Sequence, residues 1–393
     1  MISVREAKEI IRLKTPLLSK AILSLEEAAG CLLAEDIYAP ADFPPFAQSS
    51  VDGYAIRYAD LAQNNLLIHG EAPAGSSTRI KAGGREAVRI FTGAPVPQDT
   101  DTVVMQEKVS VSGNRLQILD DQLIPGSNVR PRGSEIAKDS LALGKGTCLS
   151  PAAIAFLAGL GKTSLQVIPR PRIGIVVTGK ELREPGADLK YGQVYESNSY
   201  SLTAALAQWQ MPVISRQMVD DDLDSLADAL QLVLSKSDLI LVTGGVSVGE
   251  YDHGVKALER CGVEKLFHKV QQRPGKPLYF GKKDNALVFG LPGNPSSVLT
   301  CFYEYVLEAL QYLTGLKNIS LRTVHLPMAV TYNKNAPLTH FLKGIRLDNT
   351  VMPLDAQESY RMKSFALADC LIVLEKDKNT YEKGEMAEVH LLP

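Results

Sequence analysis

The chain has 393 residues, enough for two to four domains at about 150 residues each. Its 45% apolar and 22% charged content, with 30 glycines and 22 prolines, excludes a disordered or fibrous protein. Forty-two basic against 44 acidic residues leave a net charge of −2, which gives nucleic acid or an acidic membrane surface no bulk electrostatic footprint. The N-terminus, MISVREAKEIIRLK, carries Glu6 and Glu9 and lacks the apolar core of a signal peptide. No apolar run reaches the ~18 residues of a membrane span, so a cytoplasmic protein is expected.

Two capping boxes, Ser3 with Glu6 and Ser24 with Glu27, mark helix starts. Ser150-Pro151 opens a third helix that Gly159 or Gly161 stops. Between Asp36 and Gly146 the pattern is β-rich: LLIHG, AVRIF, TVVMQEKVSVS and RLQIL are separated by turn residues. From Arg172, strands IGIVV (173–177), PVISRQMV (212–219), DLILVT (238–243) and VEKLFHKV (263–270) alternate with helical stretches. A hairpin, PLYFG and ALVFG, precedes a long helix over 297–313. Alternating strands and helices predict a mostly parallel α/β sheet covered on both faces. After Gly315, VHLPMAV, FLKGIRL, CLIVLEK and AEVHLL predict a small all-β C-terminal domain.

The five cysteines lack any CxxC spacing and read as buried free thiols. The six histidines are not paired either, so a metal would be oxygen-ligated. Ligands of open α/β sheets bind beyond the carboxyl ends of strands, where glycine loops feed helix N-termini. VVTGKEL (176–182), LVTGGVSVGEYD (241–252) and FGLPGNPSSVL (289–299) are such loops, with Gly244, Gly245, Ser247 and Gly249 placed to approach a phosphate. Gly161-Lys162-Thr163 imitates a P-loop, but Phe156 stands where glycine is required. Ser247 has no GxSxG elbow, and Gly244-Gly245 does not fit GxGxxG.

Glu181, Asp221 and Asp252 each follow a strand and are expected at one sheet edge, beside a phosphate loop, as a hard cation such as Mg²⁺ requires. Plainer readings stand beside these: Asp222 as a helix N-cap, and Asp52-Gly53 as a turn. Lys269, Arg273 and Lys276 in HKVQQRPGKP form either a solvated basic loop or an oxyanion cradle.

In chain order, FPPFAQSSVDGYAI (43–56), RIFTGAPVP (89–97), VTGGVSVGEYD, RPGKP and GLPGNP resemble the molybdopterin molybdenumtransferase (MoeA) family. The resemblance implies an α/β and β multidomain fold. A discontinuous helical segment would span 1–45 and 135–170, a β-rich lobe 46–134, an α/β molybdopterin-binding domain 171–315 and a C-terminal β domain 316–393. It implies a homodimer with active sites built from both chains, and contact with the molybdopterin adenylyltransferase. The implied reaction transfers molybdenum from molybdate to adenylyl-molybdopterin, releasing AMP with Mg²⁺ assistance. Asp52, Thr92, Glu181, Asp221 and Asp252 match important polar residues of the family, and Glu135 stands where many members have Asp. Asp221 and Asp252 would hold Mg²⁺. Lys269 and Lys276 match cationic positions, Pro292 and Pro295 the shaped loop before the long helix, and Ser364 a position near molybdate. Arg273 replaces a usual Lys and Lys343 a usual Arg, and these two with Lys276 would hold molybdate. A non-catalytic pterin-binding scaffold and a molybdopterin adenylyltransferase are the competing readings.

Overall fold

In the computed structural model, which describes residues 1–76, 79–246 and 253–393, the chain forms two units: 22–166, and 1–21 together with 167–393. In the first unit, strands β1 (Gly53–Ile56), β2 (Leu66–Ala72), β3 (Glu86–Ile90), β4 (Thr102–Met105), β5 (Val109–Ser112) and β6 (Arg115–Ile118) form a sheet of order β4-β1-β3-β2-β6-β5. The central strands are apolar at successive positions because both faces are covered. Ala55, Val88 and Val103 enter one core cluster, and their neighbours Ile56, Ala87 and Val104 enter another. The run TVVMQEKVSVS is two strands, not one, broken by a 3-10 turn at Gln106–Lys108. The helix Pro151–Gly159 starts on the Ser150 cap, whose hydroxyl accepts from Ala153 N at 3.2 Å.

The second unit contains the α/β sheet. Its strands β7 (Ile173–Thr178), β8 (Val213–Val219), β9 (Leu239–Thr243), β10 (Glu264–His268), β11 (Tyr279–Lys283) and β12 (Ala286–Leu291) run in the order β8-β7-β9-β12-β11-β10. Pairs among β8, β7, β9 and β12 are parallel; β11 and β10 complete the sheet antiparallel. Every residue of β7 and β9 is buried, as expected of strands covered on both faces. The helix Leu223–Leu234 turns Leu226, Ala227, Leu230, Val233 and Leu234 onto Val176, Ile240 and Val242. That is the spacing of one helix face, and each fully buried leucine contributes about 1.5–3 kcal/mol.

The long helix begins at Pro295 and reaches Thr314, and Gly315 closes it at φ +71°. It is not continuous α-helix: Phe302–Val306 forms a π turn. Strands β13 (Arg322–Pro327), β14 (Thr339–Leu347), β15 (Thr350–Pro353), β16 (Cys370–Leu374) and β17 (Met386–Leu391) build the C-terminal sheet. The expected all-β domain also holds the short helix Met362–Leu367. The segment Gln272–Arg273 pairs in parallel with the start of β14, Gln272 beside Thr339 and Arg273 beside His340. Among the described residues, no helix is long and apolar enough to cross a membrane.

Candidate active site

The carboxyl ends of β7, β8 and β9 bring together Thr178, Asp221, Thr243 and the Gly244-Gly245 turn. Gly244 sits at φ +83°, and a Cβ there would meet Thr178 O at 2.1 Å, so only glycine fits. Asp221 Oδ1 would lie 3.4 Å from a Cβ on Gly245, which places the carboxylate against the turn. Asp221 Oδ1, Thr178 Oγ1 and Thr243 Oγ1 are buried without a hydrogen-bond partner among the described residues. The neighbouring Asp222 is the N-cap of the following helix, its Oδ1 accepting from Ser225 N at 2.9 Å. Ser247, Gly249 and Asp252 lie outside the described residues.

Farther along the chain, a pocket of about 1000 Å³ opens in the same unit. Its size suits a large organic ligand. Glu181 lines it, as do Arg273 and Lys276 from the turn between β10 and β11, and Pro292 and Pro295 from the loop before the long helix. Arg273 and Lys276 are exposed, and their side chains have no hydrogen-bond or ion-pair partner among the described residues. They offer a planar fork and a point charge to an anion. The opposite wall is Gln357–Tyr360, tied to the helix start by Ser296 N donating to Ser359 O at 3.0 Å and by Asn294 Nδ2 donating to Ser359 Oγ at 2.8 Å. Asn198 donates to Gly293 O at 2.9 Å, and its buried Oδ1 is unpartnered among the described residues.

Lys343 and Ser364 are not among the residues lining this pocket. Lys343 is 2% exposed, and its ammonium donates to Ala356 O at 2.8 Å, Arg361 O at 3.1 Å and Glu358 O at 3.3 Å. Its N–H groups are thereby consumed, and burial holds its pKa below the usual lysine value. Ser364 Oγ lies 2.8 Å from Ala356 O and 3.1 Å from Arg361 O, in the same cage. Both residues position the Gln357–Tyr360 wall. Lys269 also stands off the pocket: it is half-buried at φ +76°, with its N–H donating to Leu278 O at 2.9 Å.

In the unit 22–166, Asp52 and Thr92 meet directly. Thr92 N and Oγ1 donate to Asp52 Oδ1 at 2.8 and 2.9 Å, which lowers the Asp52 pKa below the usual carboxylate value. Glu135 is exposed and held by its main chain, its N donating to Phe43 O at 3.0 Å.

Sequence reasoning missed Gln272, Tyr305, Glu196 and Asn198. Glu196 is 3% exposed, lines the pocket and accepts from Ser199 N and Oγ at 2.8 and 2.5 Å. Gln272 adjoins the quoted RPGKP, but a glutamine in a turn gives no sign of burial. Tyr305 is hidden in the apolar run of a helix.

Oxygen donors dominate the strand-end cluster, and a hard divalent cation fits them: one carboxylate and two hydroxyls lack partners there. Among the described residues no group of three His, Cys, Asp or Glu side chains gathers to bind a metal.

Residues 2–161 match the MoeA N-terminal region (domain I and II), 174–312 a probable molybdopterin binding domain, and 325–392 the MoeA C-terminal region (domain IV). The chain is 34% identical over 382 residues to the molybdopterin molybdenumtransferase of Haemophilus influenzae, covering 94% of each chain. It is 30% identical over 400 residues to the enzyme of that name from Staphylococcus aureus (strain MRSA252), covering 99% of this chain and 95% of that one. The crystal structure of a molybdopterin biosynthesis MoeA protein from Pyrococcus horikoshii superposes with a TM-score of 0.80 at 28% identity, over 100% of this chain and 99% of that one.

Proposed function

The chain belongs to the molybdopterin molybdenumtransferase (MoeA) family, and on that premise we propose that it transfers molybdenum from molybdate to adenylyl-molybdopterin, releasing AMP with Mg²⁺ assistance. The observation that carries this reading is the pocket itself. Two cations on the Arg273–Lys276 turn, unpaired among the described residues, line with Glu181 and the proline-shaped loop a space large enough for a pterin. Arg273 and Lys276 attract and orient molybdate or a phosphate, the fork fixing two oxygens and the ammonium adding charge. Glu181 and the Gln357–Tyr360 wall complete the lining.

Asp221 would hold Mg²⁺, with Asp252 as the second carboxylate. When bound, the ion offsets charge on the pyrophosphate oxygens and on the departing AMP. Nothing in the pocket acts as a covalent nucleophile in this reading, so positioning and electrostatics supply the acceleration. Asp52, Thr92 and Glu135 are assigned to the same reaction by the family resemblance, as are the homodimer, the contact with the molybdopterin adenylyltransferase and the four-part domain division.

AMP measured with and without molybdate, on adenylyl-molybdopterin and Mg²⁺, tests the proposal. Release that depends on molybdate is expected. A protein that binds the pterin but releases no AMP is a scaffold, and one that adenylylates molybdopterin from ATP is the adenylyltransferase; either result refutes the insertion reading.

A further inference from the structure

The cation turn rests on a buried polar platform whose central residue, Gln272, also belongs to the pocket lining. Gln272 is fully buried. Its amide Nε2 donates to Pro274 O at 3.1 Å and to Gly275 O at 3.3 Å, so the turn's carbonyls point inward while Arg273 and Lys276 stand out in solvent. Its Oε1 accepts from the Tyr305 hydroxyl, and this network assigns the orientation of the amide. Gly275, at φ +84°, lies flat on the same platform. A Cβ there would stand 2.5 Å from Cys301 Sγ and 2.9 Å from Gln272 Nε2, so any side chain would lift the turn.

Tyr305 belongs to the π turn of the long helix. An extra residue in a helical turn rotates the side chains after it, and such turns recur at functional sites. Here the neighbour Glu304 faces Lys8 and His390, while Tyr305 faces Gln272. Burial raises the Tyr305 pKa well above the usual value, so its hydroxyl keeps the proton that it donates.

We infer that Gln272 and Tyr305 are positioning residues, a buried hydrogen-bonded pair that sets the height and direction of Arg273 and Lys276 for oxyanion binding. The inference rests on the functional reading above, in which those two cations hold molybdate. Removing the hydroxyl strands the Gln272 acceptor, and removing the amide donor takes the bond from Pro274 O and leaves Gly275 O only the weak Cys301 thiol donor. A buried polar group left without its partner drives local rearrangement, and the turn is the part free to move.

Two readouts on Tyr305→Phe and Gln272→Glu, in the full-length protein, test this. The first is hydrogen–deuterium exchange at Val270, whose N–H donates to Lys276 O at 2.9 Å across the turn. The second is molybdate-dependent AMP release, read as KM for molybdate against kcat. Tyr305→Phe keeps the ring, and it is expected to speed exchange at Val270 about tenfold and to raise KM for molybdate about tenfold, with kcat changed less than about threefold. Gln272→Glu keeps an acceptor for Tyr305 but replaces the two-proton amide donor with a carboxyl, and should show the same split if Tyr305→Phe fails to fold. Unchanged exchange overturns the pair as a support of the turn. Faster exchange with unchanged KM in an active enzyme overturns its role in oxyanion binding and leaves the functional reading standing. An unmutated protein that releases no AMP on adding molybdate overturns the functional reading, and this role with it.

Discussion

Two polar clusters in the same unit differ in how far the protein satisfies them. At the carboxyl edge of the α/β sheet, Asp221 Oδ1, Thr178 Oγ1 and Thr243 Oγ1 are buried without partners among the described residues. Around the π turn, the charged groups meet one another. Glu304 accepts from Lys8 Nζ at 2.9 Å and faces His390 Nδ1 at 2.6 Å, and His390 Nε2 faces Glu388 at 2.9 Å. Both ring nitrogens of His390 point at carboxylate oxygens, which requires an imidazolium, so two cations balance two anions. The second cluster balances its own charges, joining the helix Val4–Lys14, the long helix and β17. The first has no such partners among the described residues. Buried polar groups are almost always paired, and those left unpaired mark where something else supplies the partner.

The comparison breaks first at Glu304. Burial alone would raise its pKa, but Lys8 and His390 outweigh this and hold it below the usual value. Glu304→Ala strands both cations, and a loss of about 3–5 kcal/mol is expected in urea unfolding, as for other buried pairs deprived of one partner. A loss under about 1 kcal/mol would show that the network is solvated and that the contrast fails.

Lys343 sharpens the same point on a smaller scale. Lys343→Met keeps much of the stem but removes the ammonium's three donors, leaving their carbonyls only Ser364 Oγ and Arg361 N, so a loss of about 1–3 kcal/mol is expected. Lys343→Arg does not repair it, because a planar fork cannot fill a cage built for three converging N–H bonds. The substitution Arg273→Ala, by contrast, should shift stability by less than about 0.5 kcal/mol, since its side chain is exposed, while weakening molybdate use. If Lys343→Met left stability intact and abolished molybdate binding, the cage would be a ligand site after all.

The smallest effect is a pH dependence. Burial disfavours charge on His390, yet Glu304 and Glu388 outweigh burial and the repulsion of Lys8, so its pKa is raised above 6.5. The sign follows from linkage: the native state holds the proton more tightly than the unfolded chain. The contribution is therefore complete below pH 6.5 and is lost as pH rises through the raised native value. Urea midpoints across that window should fall for the unmutated protein and stay flatter for His390→Gln; parallel curves would refute the charged clasp.

These contrasts also mark how much the sequence disclosed. Both capping boxes, the strands of the α/β sheet and the glycine loops are legible because they depend on local chemistry: a hydroxyl three residues before a carboxylate, or an apolar run ending in Gly-Gly. The π turn is not legible, because Phe302–Val306 keeps ordinary helical composition and its break depends on where Glu304 and Tyr305 find partners. The surroundings of Lys343 are illegible for the same reason. A cation in a family-like motif suggests an anion, and only the folded loop reveals three carbonyls around it. The strand Gly53–Ile56 escaped because SVDGYAI reads as a turn followed by a segment too short to show a period.

The central claim is that unpaired oxygens at the strand ends serve a ligand and not the fold, and Asp221→Asn tests it in one paired measurement. The substitution preserves volume and removes charge from a carboxylate whose Oδ1 has no hydrogen-bond partner among the described residues. The account predicts that molybdate-dependent AMP release falls at least about a hundredfold at limiting Mg²⁺, while the free energy of unfolding without ligand changes by less than about 1 kcal/mol. Normal release with a stability loss of several kcal/mol would contradict it, and would make Asp221 a structural carboxylate like Glu304.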